Sequence, residues 1–361
     1  MINMSKLFIV TGGNGHLGNT IVRMLRNQNY EVRALILPTD SNKLLKSLKA
    51  DVYYGDIRKI ETLEPLFDLS QTSYTMQDVI VIHTAGIVSI SAKKHPILES
   101  VNVQGTKNIA DLCLKYNVSK LIYVSSVHAI PELEGSQMIA EVSHFDPDLV
   151  VGAYAKSKAK ASQYILDLIE KGLHAIIIHP SGIIGPNDYG HAHMTMMIED
   201  YLNGFLTSRI NGAYDFVDVR DVASGIIQSA ASGTIGCCYI LSGHRIDLDI
   251  LFDQLRALSG RKRKIHVLPM WFAKITAPLA ELFYKMRKLP PIYSSYSLYT
   301  LKSNSFFSHE KARIDLNYHP RSLDETLFDT VKWLVKQNRV KRLRILRFIN
   351  QLKPMRKNKG S

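Results

Sequence analysis

The stretch Thr11-Gly12-Gly13-Asn14-Gly15-His16-Leu17-Gly18 constrains this chain more than any other. Lys6-Leu7-Phe8-Ile9-Val10 precedes it as an apolar run and reads as a buried strand. Behind it, Asn19 to Arg26 places Ile21, Val22 and Leu25 at helical spacing. Strand, glycine turn and helix together make the setting of a dinucleotide-binding fingerprint, here spaced Gly-x-x-Gly-x-x-Gly. Gly12 serves the tight turn, Gly15 admits a pyrophosphate near the backbone, and Gly18 lets the helix lie close to the strand. Asn14, His16 and Leu17 fill the intervening positions, and the free amides of the first helical turn face the phosphates.

The rest of the chain repeats the alternation. Val32–Leu37, Asp51–Asp56, Val79–Gly86, Leu121–Ser126 and Ala175–His179 read as further strands, the last stopped by Pro180. Val103–Tyr116 and Tyr154–Lys171 read as helices, the second closed by Gly172. Apolar strands alternating with helices predict an α/β fold: a Rossmann-type doubly wound parallel sheet, with ligands at the carboxyl ends of its strands. After Gly185-Pro186 the pattern breaks into a Met-, Asn- and His-rich excursion over 187–213. Phe216–Ala223 then returns to the sheet domain, and Cys237–Gly243 reads as a last strand. The expected organisation is a nucleotide-binding domain over 1–186 and 214–245 and a smaller substrate-binding lobe over 187–213 and 246–335. A basic tail follows over 336–361.

Charge bears on partners. The net charge is +13, and ten basic residues with no acidic one lie between Lys336 and Ser361. The body is therefore nearly balanced, which argues against a nucleic-acid groove across the fold. In the tail, Arg339–Ile349 alternates cationic and apolar residues, a pattern suited to peripheral contact with an anionic membrane. No run of 18 apolar residues predicts a spanning helix. Cys113, Cys237 and Cys238 lack metal-ligand spacing and read as reduced thiols, which points to a cytoplasmic protein. His83, His128 and His179 fall at strand ends, where a histidine can touch substrate or bond within the core. They make no metal site.

Tyr154-Ala155-Lys156-Ser157-Lys158 is the second decisive motif. Residues four apart share a helix face, so Lys158 lies one turn from Tyr154. An ammonium nearby is expected to lower the phenol pKa and fit Tyr154 for proton transfer to or from a carbonyl or hydroxyl. Ser126, with Ser125 as the alternative, ends the neighbouring strand and offers a hydroxyl to the substrate oxygen.

Taken together these motifs resemble the extended short-chain dehydrogenase/reductases. The resemblance runs through Gly55-Asp56, His83-x-Ala85-Gly86, Asn102-Val103-x-Gly105-Thr106, Tyr123-Val124-Ser125-Ser126, Tyr154-x-x-Ser157-Lys158 and Pro180–Pro186. It ends at Phe216-Val217-Asp218-Val219-x-Asp221. It implies Tyr154 as catalytic acid/base, Lys158 as its partner and a nicotinamide-ribose ligand, and Ser126 as the third catalytic residue. It also implies Asp56 and Ile57 at the adenine, Ala85 and Gly86 beside the cofactor, Asn102 steadying the region, and Pro180 and Ile183 at the nicotinamide. His179 stands where many relatives carry Arg, and Ser162 where many carry Glu. Relatives often dimerise, so a homodimer is expected.

NAD specificity needs an acidic residue at the end of the second strand, and NADP specificity an Arg there. Ile36 and Leu37 supply neither, and the missing carboxylate tilts the expectation from NAD towards NADP. Among relatives, a reductase resembling dihydroflavonol reductases and 3β-hydroxysteroid dehydrogenases competes with a nucleotide-sugar epimerase or dehydratase. A sugar-nucleotide enzyme needs a cation for its diphosphate, yet Tyr214 stands where its Arg would fall, and Arg209 is out of register. Met194, Met196, Met197, Tyr201 and Phe205 make the 187–213 excursion suited to an apolar small-molecule substrate. A non-catalytic nucleotide sensor is the third reading, and such sensors generally lack the Tyr/Lys pair.

Overall fold

The computed structural model describes residues 6–89, 96–260, 265–277 and 295–340. The tail beyond Val340, and the second half of the apolar segment 269–284, lie outside the described residues.

Six strands alternate with helices through the first half: β1 (Leu7–Thr11), β2 (Glu31–Ile36), β3 (Asp51–Tyr54), β4 (Val79–His83), β5 (Lys120–Val124) and β6 (Ala175–Pro180). With β10 (Cys238–Leu241) they form a seven-stranded sheet in the order β10-β6-β5-β4-β1-β2-β3, every neighbouring pair parallel. The order reverses between β1 and β4, and that reversal opens the crevice where a doubly wound sheet takes its ligand.

A parallel sheet is covered on both faces, so each strand feeds two cores. Leu7 and Ile9 of β1 pack with Leu121 and Tyr123 of β5 on one face. Phe8 and Val10 pack with Ile122, Ile176 and Ile178 on the other. The first face is covered by α3 (Thr106–Lys115) and α4 (Ala153–Ile169), the second by α1 (His16–Asn27) and α6 (Val219–Ser232). A seven-residue π-helical stretch, Glu99–Gly105, runs directly into α3, where the spacing alone predicts a plain α-helix from Val103.

The strand ends are trimmed relative to expectation. β4 stops at His83 and β5 at Val124, so Thr84-Ala85-Gly86 and Ser125-Ser126 are loop residues at the sheet's carboxyl edge. Phe216–Asp218 belongs to β9 (Ala213–Asp218), which does not join the main sheet. It pairs parallel with β7 (Gly182–Ile184) and antiparallel with β11 (His244–Asp247). Only the helix that follows, α6, returns to the main sheet, packing against α1.

A third core gathers Tyr201 and Leu202 of α5 (His193–Asn203), Leu251 and Phe252 of α7 (Leu248–Ser259) and Leu327 and Leu334 of α10 (Leu323–Lys336). Arg220 joins it to the sheet, pairing at 2.7 Å with both Asp218 and Asp329 of α10. Arg321 pairs at 2.8 Å with Asp221 in the same network.

Candidate active site

The glycine loop between β1 and α1 is held by close backbone contact. Gly12 has φ +71°, a left-handed conformation that favours glycine. A side chain on Gly18 would meet the Gly12 carbonyl oxygen at 2.1 Å. The N-cap, Gly15, offers no side chain to α1, and no acidic residue occupies its first turn. The first-turn amides are thus left to an anion, and the loop fits a dinucleotide pyrophosphate. Leu17 is buried under the loop. Asn14 donates to the Ser41 carbonyl at 2.9 Å and steadies the segment after β2. His16 is turned to the Pro186 carbonyl, 2.9 Å from Nε2, while Asn19 donates to the Asn187 carbonyl at 2.8 Å. The loop after β7 is thereby strapped to the start of α1. Burial lowers the His16 pKa, so the imidazole sits there neutral.

Just after β3, Asp56 forms a fork with Arg58 at 2.9 and 3.0 Å, and that bond holds the carboxyl below its usual range. Ile57 is buried, and its carbonyl accepts from Asn108 at 2.8 Å.

A buried hydrogen-bond chain runs from this loop to Tyr154. The Ala85 amide donates to Thr11 Oγ1 at 3.2 Å, and Thr11 Oγ1 stands 2.7 Å from His83 Nδ1. His83 Nε2 stands 3.0 Å from Thr106 Oγ1, which itself donates to the Asn102 carbonyl at 2.7 Å. Because the Thr106 hydroxyl spends its proton on Asn102, it accepts from His83, which fixes the ring as the Nε2–H tautomer. Asn102 then clamps Ile87, accepting from its amide at 2.8 Å and donating to its carbonyl at 2.9 Å. It also donates to Ser157 Oγ at 3.1 Å, and Ser157 donates to the Tyr154 carbonyl at 2.7 Å.

Tyr154 and Lys158 lie on α4, both buried. Lys158 Nζ donates to the Val124 carbonyl at 2.8 Å and stands 5.1 Å over the Tyr123 ring. Burial brings its pKa down to about 7. Lys158 does not lower the Tyr154 pKa as the spacing led us to expect. Burial pushes that phenol up to about 12, opposed only by a hydrogen bond from Ser126. The reason is geometric: the ammonium is engaged by a strand-end carbonyl instead of pointing at the phenol.

The two serines after β5 part company. Ser125 Oγ is committed to Ser162 Oγ at 2.7 Å inside the core, whereas Ser126 faces Tyr154. His179 Nδ1 lies 2.9 Å from the Ser126 carbonyl, and its ring stacks on Phe145. The histidine in the usual Arg position therefore anchors Ser126. Pro180 ends β6 fully buried, and Ile183 lies half-buried on β7 against the second core. Gly86 is close enough to the far side that a side chain there would stand 3.5 Å from Lys158 Nζ.

Beside Tyr154 opens a cavity of about 220 Å³ lined by His128, Glu132, Val151, Tyr214, Tyr296 and Tyr299, among others. Of these, only His128 and Tyr214 were singled out by the sequence. None of Met194, Met196, Met197, Tyr201 and Phe205 lines it. Met194, Met197 and Tyr201 pack into the third core, and Phe205 is exposed on the surface. Met194, Met197 and Tyr201 therefore belong to a packing face, not to the substrate cavity. Glu132, Tyr296 and Tyr299 come from irregular or distant segments whose approach to Tyr154 leaves no local signal.

Residues 8–236 match the NAD dependent epimerase/dehydratase family. The chain belongs to this family and is an NAD(P)-dependent oxidoreductase acting on CH–OH groups. It is 29% identical to a putative dihydroflavonol 4-reductase of Synechocystis over 94% of this chain and 98% of that one. It is 28% identical to 3 beta-hydroxysteroid dehydrogenase type 7 of Mus musculus, over 91% and 95% respectively. Among solved structures, gox2253 superimposes with a TM-score of 0.79 at 29% identity, covering 93% of this chain and 100% of that one. The UDP-glucose 4-epimerase of Thermotoga maritima shares the fold, with a TM-score of 0.71 at 21% identity over 92% and 99%. No helix among the described residues is long and apolar enough to cross a membrane.

Proposed function

We propose that the protein is a reductase of a neutral, rather apolar carbonyl compound, using NADPH in preference to NADH. The observation that carries this reading is the cavity beside Tyr154. Its described lining combines aliphatic and aromatic side chains with the neutral polar groups of His128, Ser303 and Asn304 and includes no Lys or Arg, while Glu132 contributes a carboxylate. A nucleotide-sugar diphosphate brought there would meet a like charge and no compensating cation, at a cost of several kcal/mol.

The nicotinamide cofactor, when bound, supplies the hydride. Ser126 holds the substrate oxygen and Tyr154 delivers a proton to it. Burial keeps the phenol protonated at neutral pH, so its proton is present to be given to the substrate oxygen. Lys158, whose Nζ donates to the Val124 carbonyl, is the residue assigned in this reading to the nicotinamide ribose. Residues 295–307 lend Tyr296, Tyr299, Ser303 and Phe307 to the cavity, which supports a substrate-side role for the C-terminal lobe. For the nucleotide, the Leu37 side chain after β2 is 44% exposed and no acidic side chain ends that strand. Nothing there repels a 2′-phosphate.

The test is the nucleotide content of the purified protein, followed by titration with NADPH and NADH. An exchangeable site that takes NADPH more tightly supports the reductase. Stoichiometric NAD⁺ that survives dialysis supports an epimerase or dehydratase and refutes it.

A further inference from the structure

Tyr214 Oη and His128 Nε2 lie 2.8 Å apart, with the two rings stacked at 5.9 Å and 16°. Both rings line the cavity. His128 stands edge-on to Tyr154 at 6.2 Å and beside Tyr296 at 6.0 Å. The walls that hold this cluster cannot move far. A side chain on Gly182 would meet Tyr214 Cε1 at 2.8 Å, and one on Gly152 would meet Tyr296 Cε2 at 2.3 Å. Each aromatic ring thus fills the space left by a glycine.

Proton counting on the pair is decisive. A neutral imidazole carries one N–H and a phenol one O–H, and the contact between them uses one of the two. If the phenol donates, the imidazole keeps a proton on Nδ1. If Nε2–H donates, the phenol keeps its own. Among the described residues, no further side-chain partner takes the remaining proton. One donor is left over at the wall of a cavity whose other polar side chains are Glu132, Ser303, Asn304 and the hydroxyls of Tyr296 and Tyr299.

Resting on the reductase reading, we propose that the His128–Tyr214 pair is a specificity element that donates a hydrogen bond to a second oxygen of the substrate. The substrate class is then a flat or cyclic neutral ketone carrying a carbonyl or ether oxygen near the reacting carbonyl. The stacked rings of His128 and Tyr214, with Tyr296 tilted beside them, supply the flat surface, and the leftover proton fixes which end of the molecule faces Tyr154.

The probes are 1-phenyl-1,2-propanedione and propiophenone, which share a ring and differ in one carbonyl. Steady-state kcat/KM is measured for both, with NADPH, in the wild type and in Tyr214→Phe and His128→Gln. The dione is intrinsically the more electrophilic, so the change in the ratio is what is read. Losing one hydrogen bond from a neutral donor should lower the dione-to-monoketone ratio about three- to tenfold, chiefly through KM. A ratio that survives both substitutions overturns the proposal, whether or not overall activity falls. Turnover of neither ketone by wild-type protein overturns the reductase reading instead. The same two compounds are then titrated calorimetrically against the NADPH-loaded protein. Equal affinities overturn the donor, and tighter dione binding that is lost in Tyr214→Phe upholds it.

Discussion

Asn102 donates from Nδ2 to the hydroxyl of Ser157, 3.1 Å away, one turn along α4 from Tyr154. Its other bonds clamp the Ile87 backbone, so one fully buried amide ties the loop after β4 to the helix that carries Tyr154. Replacing Asn102 by Ala removes both partners of the half-buried Ile87 backbone and the donor to Ser157 Oγ. We expect a loss of about 1–3 kcal/mol in stability, measured by denaturant unfolding, together with weaker NADPH binding. Unchanged stability and affinity would show that the amide holds nothing.

Tyr154→Phe removes the acid and keeps the ring. Hydride transfer to any accepted carbonyl should fall by about 10²-fold or more, while nucleotide affinity, measured by titration, stays within a few-fold of wild type. Retained turnover would remove Tyr154 from the chemistry.

A methyl group at Gly18 has nowhere to go, since the Gly12 carbonyl lies 2.1 Å from its position. Gly18→Ala should force α1 away from β1, lower the melting temperature and abolish NADPH binding. Gly172→Ala makes a control of the opposite kind. That residue has no neighbour within contact distance, and only its φ of +100° opposes a side chain, so nucleotide binding there should persist.

If the end of β2 sets the nucleotide, Leu37→Asp should reverse the choice. The new carboxylate can bond the ribose hydroxyls and repel a 2′-phosphate. The expected outcome is a ratio of NADPH to NADH affinity reduced at least tenfold, read by fluorescence titration. An unchanged ratio would place the determinant elsewhere.

Acid should unfold the protein through its core histidines. Burial holds His83 down to about 3 and His179 to about 4, against 6.5 for a free side chain. Below pH 6.5 the unfolded chain therefore binds protons that the folded one refuses. Stability contributed by the neutral rings is whole above pH 6.5. It is lost progressively as pH falls to about 4 for His179 and on to about 3 for His83. Unfolding free energies measured between pH 7 and 4.5 should drop, and His83→Asn should flatten the slope. A flat profile in the wild type would contradict the neutral assignment.

The glycine loop, the parallel strands and the Tyr154/Lys158 pair were legible because each depends on local rules. Buried strands must be apolar on both faces, a tight turn over phosphates demands glycine, and residues four apart on a helix share a face. Ser126 and Ser125 are adjacent and chemically identical, so sequence could rank them but not separate them. Only the packing of Ser125 against Ser162, and of His179 beneath Ser126, distinguishes their surroundings.

By itself, then, the sequence determined the fold class, the glycine loop between β1 and α1 and the shared helix face of Tyr154 and Lys158, since short-range backbone and side-chain geometry imposes them. Tertiary structure decided the rest. Long-range contacts sent the Lys158 ammonium to the Val124 carbonyl instead of the Tyr154 phenol, and they moved the Met-rich face of α5 into the third core. The cavity wall was assembled from Glu132, Tyr214 and Tyr296, residues far apart in the chain. Such contacts form only when a chain closes on itself, because burial energy acts on surfaces that neighbours in sequence do not share.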